Sequence, residues 1–90
     1  MATLSWIRAE DGDWYRATEV VAVKTLPHPA GGYMVTVETN RHDNIDVTGH
    51  LEHAEIAHEG RDALVRLLAG IEDGTVLTYS DGRFATETVG

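Results

Sequence analysis

Two Asp-Gly dipeptides constrain this chain more than any other feature. Asp11-Gly12 lies between residues 3–8 (TLSWIR) and 14–17 (WYRA), and Asp81-Gly82 lies between residues 75–80 and 83–88. Asp and Gly supply the positive φ angles of tight hairpin turns, and the flanks are rich in β-branched and aromatic residues. Two hairpins are therefore expected, one towards each end of the chain. A two-residue turn at Asp11-Gly12 sets Arg8 opposite Tyr15 and Ala9 opposite Trp14. The same turn at Asp81-Gly82 sets Tyr79 opposite Phe84 as a cross-strand aromatic pair.

Between the hairpins, residues 20–24 (VVAVK) read as a strand with at least one buried face. Residues 26–32 (LPHPAGG) must be a loop, because two prolines remove backbone donors and a glycine pair supplies positive φ. Residues 33–39 then alternate, with Tyr33, Val35, Val37 and Thr39 on one face. They are expected to pair antiparallel with the Val20 strand. Residues 44–58 fit neither the strand nor the helix period. The expectation there is a strand around 45–47, a bend at Gly49 and a short strand around 52–57, with a helix starting at Thr48 as the other solution.

The best helix covers residues 61–71. Leu64, Leu67, Leu68 and Ile71 fall at i, i+3, i+4 and i+7 and make one apolar stripe, with Gly74 as a stop beyond it. A helix this short does not stand alone in water, so the stripe must pack on a sheet. The expected fold is a single α+β domain over residues 1–90. It is a small antiparallel sheet of about five or six short strands, including the two Asp-Gly hairpins, with the 61–71 helix on one face. Its core is expected to contain Ile7, Val21, Val23, Val35, Val37, Leu64, Leu67, Leu68, Ile71 and Leu77. The alternative is an SH3-like barrel plugged by the helix.

Charge narrows the partners. Fifteen acids against seven bases leave a net charge of −8 in 90 residues. Nucleic acid and anionic membranes are therefore not expected partners. No apolar run approaches the length of a membrane span, and no basic stretch followed by an apolar core opens the sequence. There is no cysteine, so disulfides, thiolate metal sites and a cysteine nucleophile are excluded. These features point to a cytoplasmic protein. As the pH falls from 7 towards the sequence pI near 4.8, self-repulsion disappears and solubility is expected to drop, which turbidity at high concentration measures.

Catalytic constellations are sparse. Ser5 and Ser80 are the only serines and neither sits in a G-x-S-x-G elbow, while Lys24, the only lysine, reads as a strand residue with its head in water. Histidine clusters with acids: His50, Glu52, His53 and His58 are the candidate metal ligands, since imidazole with carboxylate is the usual zinc set where thiolate is absent. Their spacing matches no established metal motif, and a solvated acidic face explains the same residues, so no metal and no cofactor is expected. The acids are too irregularly spaced to imitate a phosphate backbone.

The aromatics remain. Trp6, Trp14 and Tyr15 around the first hairpin, and Tyr79 and Phe84 in the second, are the candidate interface residues, since aromatics anchor protein contacts. The expected function is that of a non-enzymatic protein–protein interaction module of the assembly, adaptor or inhibitor type. A small metal-binding protein or metal-dependent enzyme using the His50–His58 cluster is the alternative. A homodimer is also expected: the sheet has edges to protect, and the 75–88 hairpin, coming after the helix, is free to join the sheet of a second chain.

Overall fold

The computed structural model describes residues 4–89, so Thr3, placed in the first strand by its sequence, lies outside the described residues. Those residues form seven strands and one α-helix: β1 (Trp6–Arg8), β2 (Trp14–Arg16), β3 (Val20–Pro27), β4 (Tyr33–Thr39), β5 (Ile45–Asp46), α1 (Ala54–Ala69), β6 (Thr75–Ser80) and β7 (Arg83–Thr88). A single turn of 3-10 helix, Ala17–Glu19, joins β2 to β3. The architecture is α+β. Its strands divide into two sheets, ordered β2-β1-β6-β7 and β3-β4-β5, and they do not close into a barrel.

The second hairpin has the expected register, with Tyr79 opposite Phe84 and Ser80 opposite Arg83. Asp81 and Gly82 take φ of 52° and 81°, the pair of positive values that a two-residue type I′ turn needs. The first hairpin is one residue off its expectation. Ile7 faces Tyr15 and Arg8 faces Trp14, because Glu10 joins Asp11 and Gly12 in a three-residue loop. Ala9 donates its N–H to the Asp13 carbonyl and Gly12 to that of Ala9, and only Gly12 has positive φ. This is a type I turn closed by a glycine bulge.

β3 pairs antiparallel with β4 as expected, but it runs from Val20 opposite Thr39 to Pro27 opposite Tyr33. Leu26 and Pro27 are therefore strand residues, and the loop is confined to residues 28–32. Three further expectations are corrected. The 75–88 hairpin joins its own chain: β6 runs parallel to β1, with Trp6 beside Val76 and Ile7 beside Leu77. Residues 54–57 are the start of α1 rather than a strand, so the helix begins seven positions before residue 61 (61 − 54) and ends at Ala69 instead of 71. Val21 is 59% exposed, because the register shifts between Val20 and Ala22 and turns it outward.

One core joins both sheets and the helix. Ile7, Val35, Val37, Ala57, Leu64 and Leu77 are fully buried, with Ile45, Val47, Leu51 and Phe84 nearly so; Val23, Leu67, Leu68 and Ile71 pack against them half-buried. The bend after β5 is held by polar groups. Asp46 Oδ1 accepts the N–H of Thr48 at 3.1 Å and of Gly49 at 2.8 Å, and Thr48 Oγ1 accepts the N–H of Val35 at 3.1 Å. Asp46 thus fixes the bend, and Thr48 ties it to β4.

Candidate interaction surface

The three-residue loop decides what the first hairpin shows to solvent. Side chains alternate along a strand, so the register that turns Ile7 and Tyr15 towards the core turns Trp6, Arg8, Trp14 and Arg16 to the other face. Trp6 and Trp14 are diagonal neighbours there, with ring centroids 6.2 Å apart at 55°. The Arg8 guanidinium lies 5.1 Å from the centre of the Trp14 ring, in range for a cation–π contact. Trp14 is nevertheless 41% exposed.

The second wall comes from the end of β4. Thr39 Oγ1 accepts the N–H groups of Arg41 (3.3 Å) and His42 (3.1 Å), while the Thr39 N–H donates to the His42 carbonyl at 2.8 Å. That tight turn sets Arg41 and His42 facing the hairpin. His42 meets the Tyr15 ring edge-on, with centroids 5.5 Å apart. Burial, then the carboxylates of Asp11 and Asp13, push the Tyr15 hydroxyl above the ordinary tyrosine range. A cleft of about 210 Å³ lies on one side of this pair, between the tryptophans, Arg16, Glu19 and Arg41. On the other side an open hollow of about 380 Å³ is lined by Glu10, Asp11, Asp43 and Asp46.

The two hollows differ in charge. Among the described residues, Arg8, Arg16 and Arg41 have no carboxylate within ion-pair distance; the ion pairs lie elsewhere, at Lys24–Glu38 (3.2 Å), Arg61–Asp62 (3.0 Å) and two histidines. Three of the seven cationic side chains of an acidic protein therefore gather beside its two tryptophans. Trp, Tyr and Arg are the residues in which binding energy concentrates at protein interfaces. The sequence alone marks Trp6, Trp14 and Tyr15 as interface candidates, and strand alternation already sets Arg8 on the face of Trp6. The corrected register adds Arg16, opposite Trp6, and sets Arg8 opposite Trp14. Arg41 and His42 lie in the turn after β4, which belongs to the other sheet, and no signal in the sequence places them here.

The other candidates are differently placed. Phe84 is 8% exposed within the core and Tyr79 is half-buried against it, with their rings edge-to-face at 4.9 Å, so this pair packs the hairpin under α1. The histidines do not converge. His50 stands beside His28, with ring centroids 5.5 Å apart, and His28 Nε2 lies 3.9 Å from Asp46 Oδ2. His53 immediately precedes α1, exposed and 3.9 Å from an equally exposed Glu52, and His58 projects from the helix surface. Among the described residues no group of three or more His, Asp and Glu side chains is arranged to hold a metal ion. Lys24 sits inside β3, its exposed ammonium paired with Glu38. No helix of the described residues is long and apolar enough to cross a membrane. No protein-family model, curated protein or solved structure matches the chain.

Proposed function

We propose that this protein is a non-enzymatic protein–protein interaction module, of the assembly, adaptor or inhibitor type, that receives its partner on the Trp6–Trp14–Tyr15 surface. The observation that carries the reading is Trp14: a large aromatic left 41% exposed, with Trp6 and Arg8 against its ring. Arg16 and Arg41 add to the same cleft cations that have no ion-pair partner among the described residues. The complementary partner is an acidic protein segment carrying an apolar or aromatic anchor, which the tryptophans cover while the arginines bind its carboxylates. Self-association belongs to the same reading, since among the described residues both sheets end in edge strands with no further strand beside them.

The test is differential capture followed by titration. Wild-type protein, Trp14→Ala and Arg16→Glu are used as bait in host extract, and whatever only the wild type retains is purified and titrated by tryptophan fluorescence. The expected result is a partner with an acidic segment whose affinity falls in both variants at unchanged melting temperature. Identical retention by all three proteins removes this surface as the docking site.

A further inference from the structure

We propose that the free edge of β7 pairs antiparallel with β7 of a second copy of this chain, about a two-fold axis through Ala85. The inference rests on the homodimer part of the reading above and names its edge and register; it is independent of the tryptophan surface.

The geometry starts at the turn. In a two-residue hairpin the flanking residues Ser80 and Arg83 form a bonded pair, and bonded and non-bonded pairs then alternate. Arg83, Ala85, Glu87 and Val89 therefore direct their backbone groups towards β6. The Val89 N–H confirms this parity by donating to the Gly74 carbonyl at 2.7 Å, one step beyond Thr75–Thr88. Phe84, Thr86 and Thr88 must then direct theirs outward, where β7 ends the sheet order. Among the described residues no strand pairs with this edge, and such an edge is a template for another strand.

The remaining edges are guarded or short. β3 carries Lys24, Pro27 and a register shift, while β2 spans three residues and β5 two. β7 has six residues (RFATET) with no lysine, no proline and no irregular pairing. Its charges also complement themselves in one register. With Ala85 on the axis, Phe84 and Thr86 exchange hydrogen bonds with their counterparts, Arg83 faces the partner's Glu87, and Glu87 faces the partner's Arg83. Moving the axis to Arg83 or Glu87 sets like charges against each other. Moving it to Phe84 sets Asp81 against Glu87, and moving it to Thr86 leaves both charges without an opposite. Arg83 and Glu87 are exposed and have no ion-pair partner among the described residues. Ala85, also exposed, is small enough for two copies to meet at a non-hydrogen-bonded site, where Cα atoms approach to about 4.5 Å.

The chain has no cysteine, so Ala85→Cys places a single thiol on the axis, at a spacing a disulfide can span. Light scattering gives the mass of the wild type, and mild oxidation compares Ala85→Cys with Val65→Cys, an exposed position on α1. The proposal expects a mass twice the 9.8 kDa chain, faster cross-linking at 85 than at 65, dimer weakening of about tenfold or more in Arg83→Glu, and recovery in Arg83→Glu/Glu87→Arg. A monomer at millimolar concentration overturns both this pairing and the homodimer reading. A dimer that cross-links no faster at 85 and ignores Arg83→Glu overturns the β7 edge alone.

Discussion

The Arg8 guanidinium rests 5.1 Å from the centre of the Trp14 ring, so a cation and the most exposed tryptophan occupy one spot on the surface. Trp14 is largely outside the core, and its removal should change folding stability by less than about 1 kcal/mol. Its removal from a docked complex should weaken binding by about 2 kcal/mol or more. Trp14→Ala is therefore expected to separate the two readouts, urea unfolding and partner titration. Equal losses in both would place Trp14 among the structural residues.

Thr78 Oγ1 is buried and has no hydrogen-bond partner among the described residues. A hydroxyl removed from water without compensation is destabilising, and valine has the same branched shape without it. Thr78→Val should raise stability by about 1 kcal/mol in urea unfolding. A loss of stability would mean that the hydroxyl is satisfied in solution.

Gly31 and Gly32 both have positive φ, 93° and 69°, yet their surroundings differ. A Cβ on Gly31 meets nothing within 4 Å, whereas one on Gly32 collides with the Leu51 carbonyl and comes within 2.7 Å of His50 Nε2. Leu51 and Tyr33 exchange backbone hydrogen bonds at this point, so the carbonyl cannot move freely. Gly31→Ala should cost about 1–2 kcal/mol, the left-handed backbone alone. Gly32→Ala should cost about 2–4 kcal/mol, adding the collision. Similar thermal melts for the two would show that the loop and the Leu51 segment move apart.

Burial raises the Tyr79 pKa above its ordinary value. The folded chain therefore holds this proton more tightly than the unfolded one. The associated stability is fully present below the unfolded value of about 10 and is lost as pH rises through the folded value. Melting temperature should fall above pH 10 in the wild type, and Tyr79→Phe should fall less steeply. Parallel curves would assign alkaline unfolding to other groups.

What could be read from the chain before its structure depended on how local the cause was. The Tyr79–Phe84 register followed from a two-residue turn with both positive φ angles in adjacent residues. The same dipeptide misled at residue 11, since nothing local says that Glu10 joins the loop. The Leu64 stripe marked the helix, but its first turns pack through small residues, Ala57 and Gly60, which a search for large apolar side chains passes over. The Pro/Gly loop and the β3–β4 pairing were legible from alternation. The parallel β1–β6 contact and the arrival of Arg41 and His42 beside Tyr15 were not, because distant segments make them.

The lateral contact of Trp6 and Ile7 with Val76 and Leu77 also orders events during synthesis. β1 and β2 are made before β6, so β1 has no strand on its other side until residues 75–77 emerge. Until then Ile7, fully buried in the finished fold, lacks the strand beside it. β3 and β4 can pair early, since only the Pro/Gly loop separates them. Nascent chains halted before residue 75 should therefore leave the N-terminal hairpin open to protease while β3 and β4 are already paired. β6 and β7 complete the sheet that β1 and β2 begin.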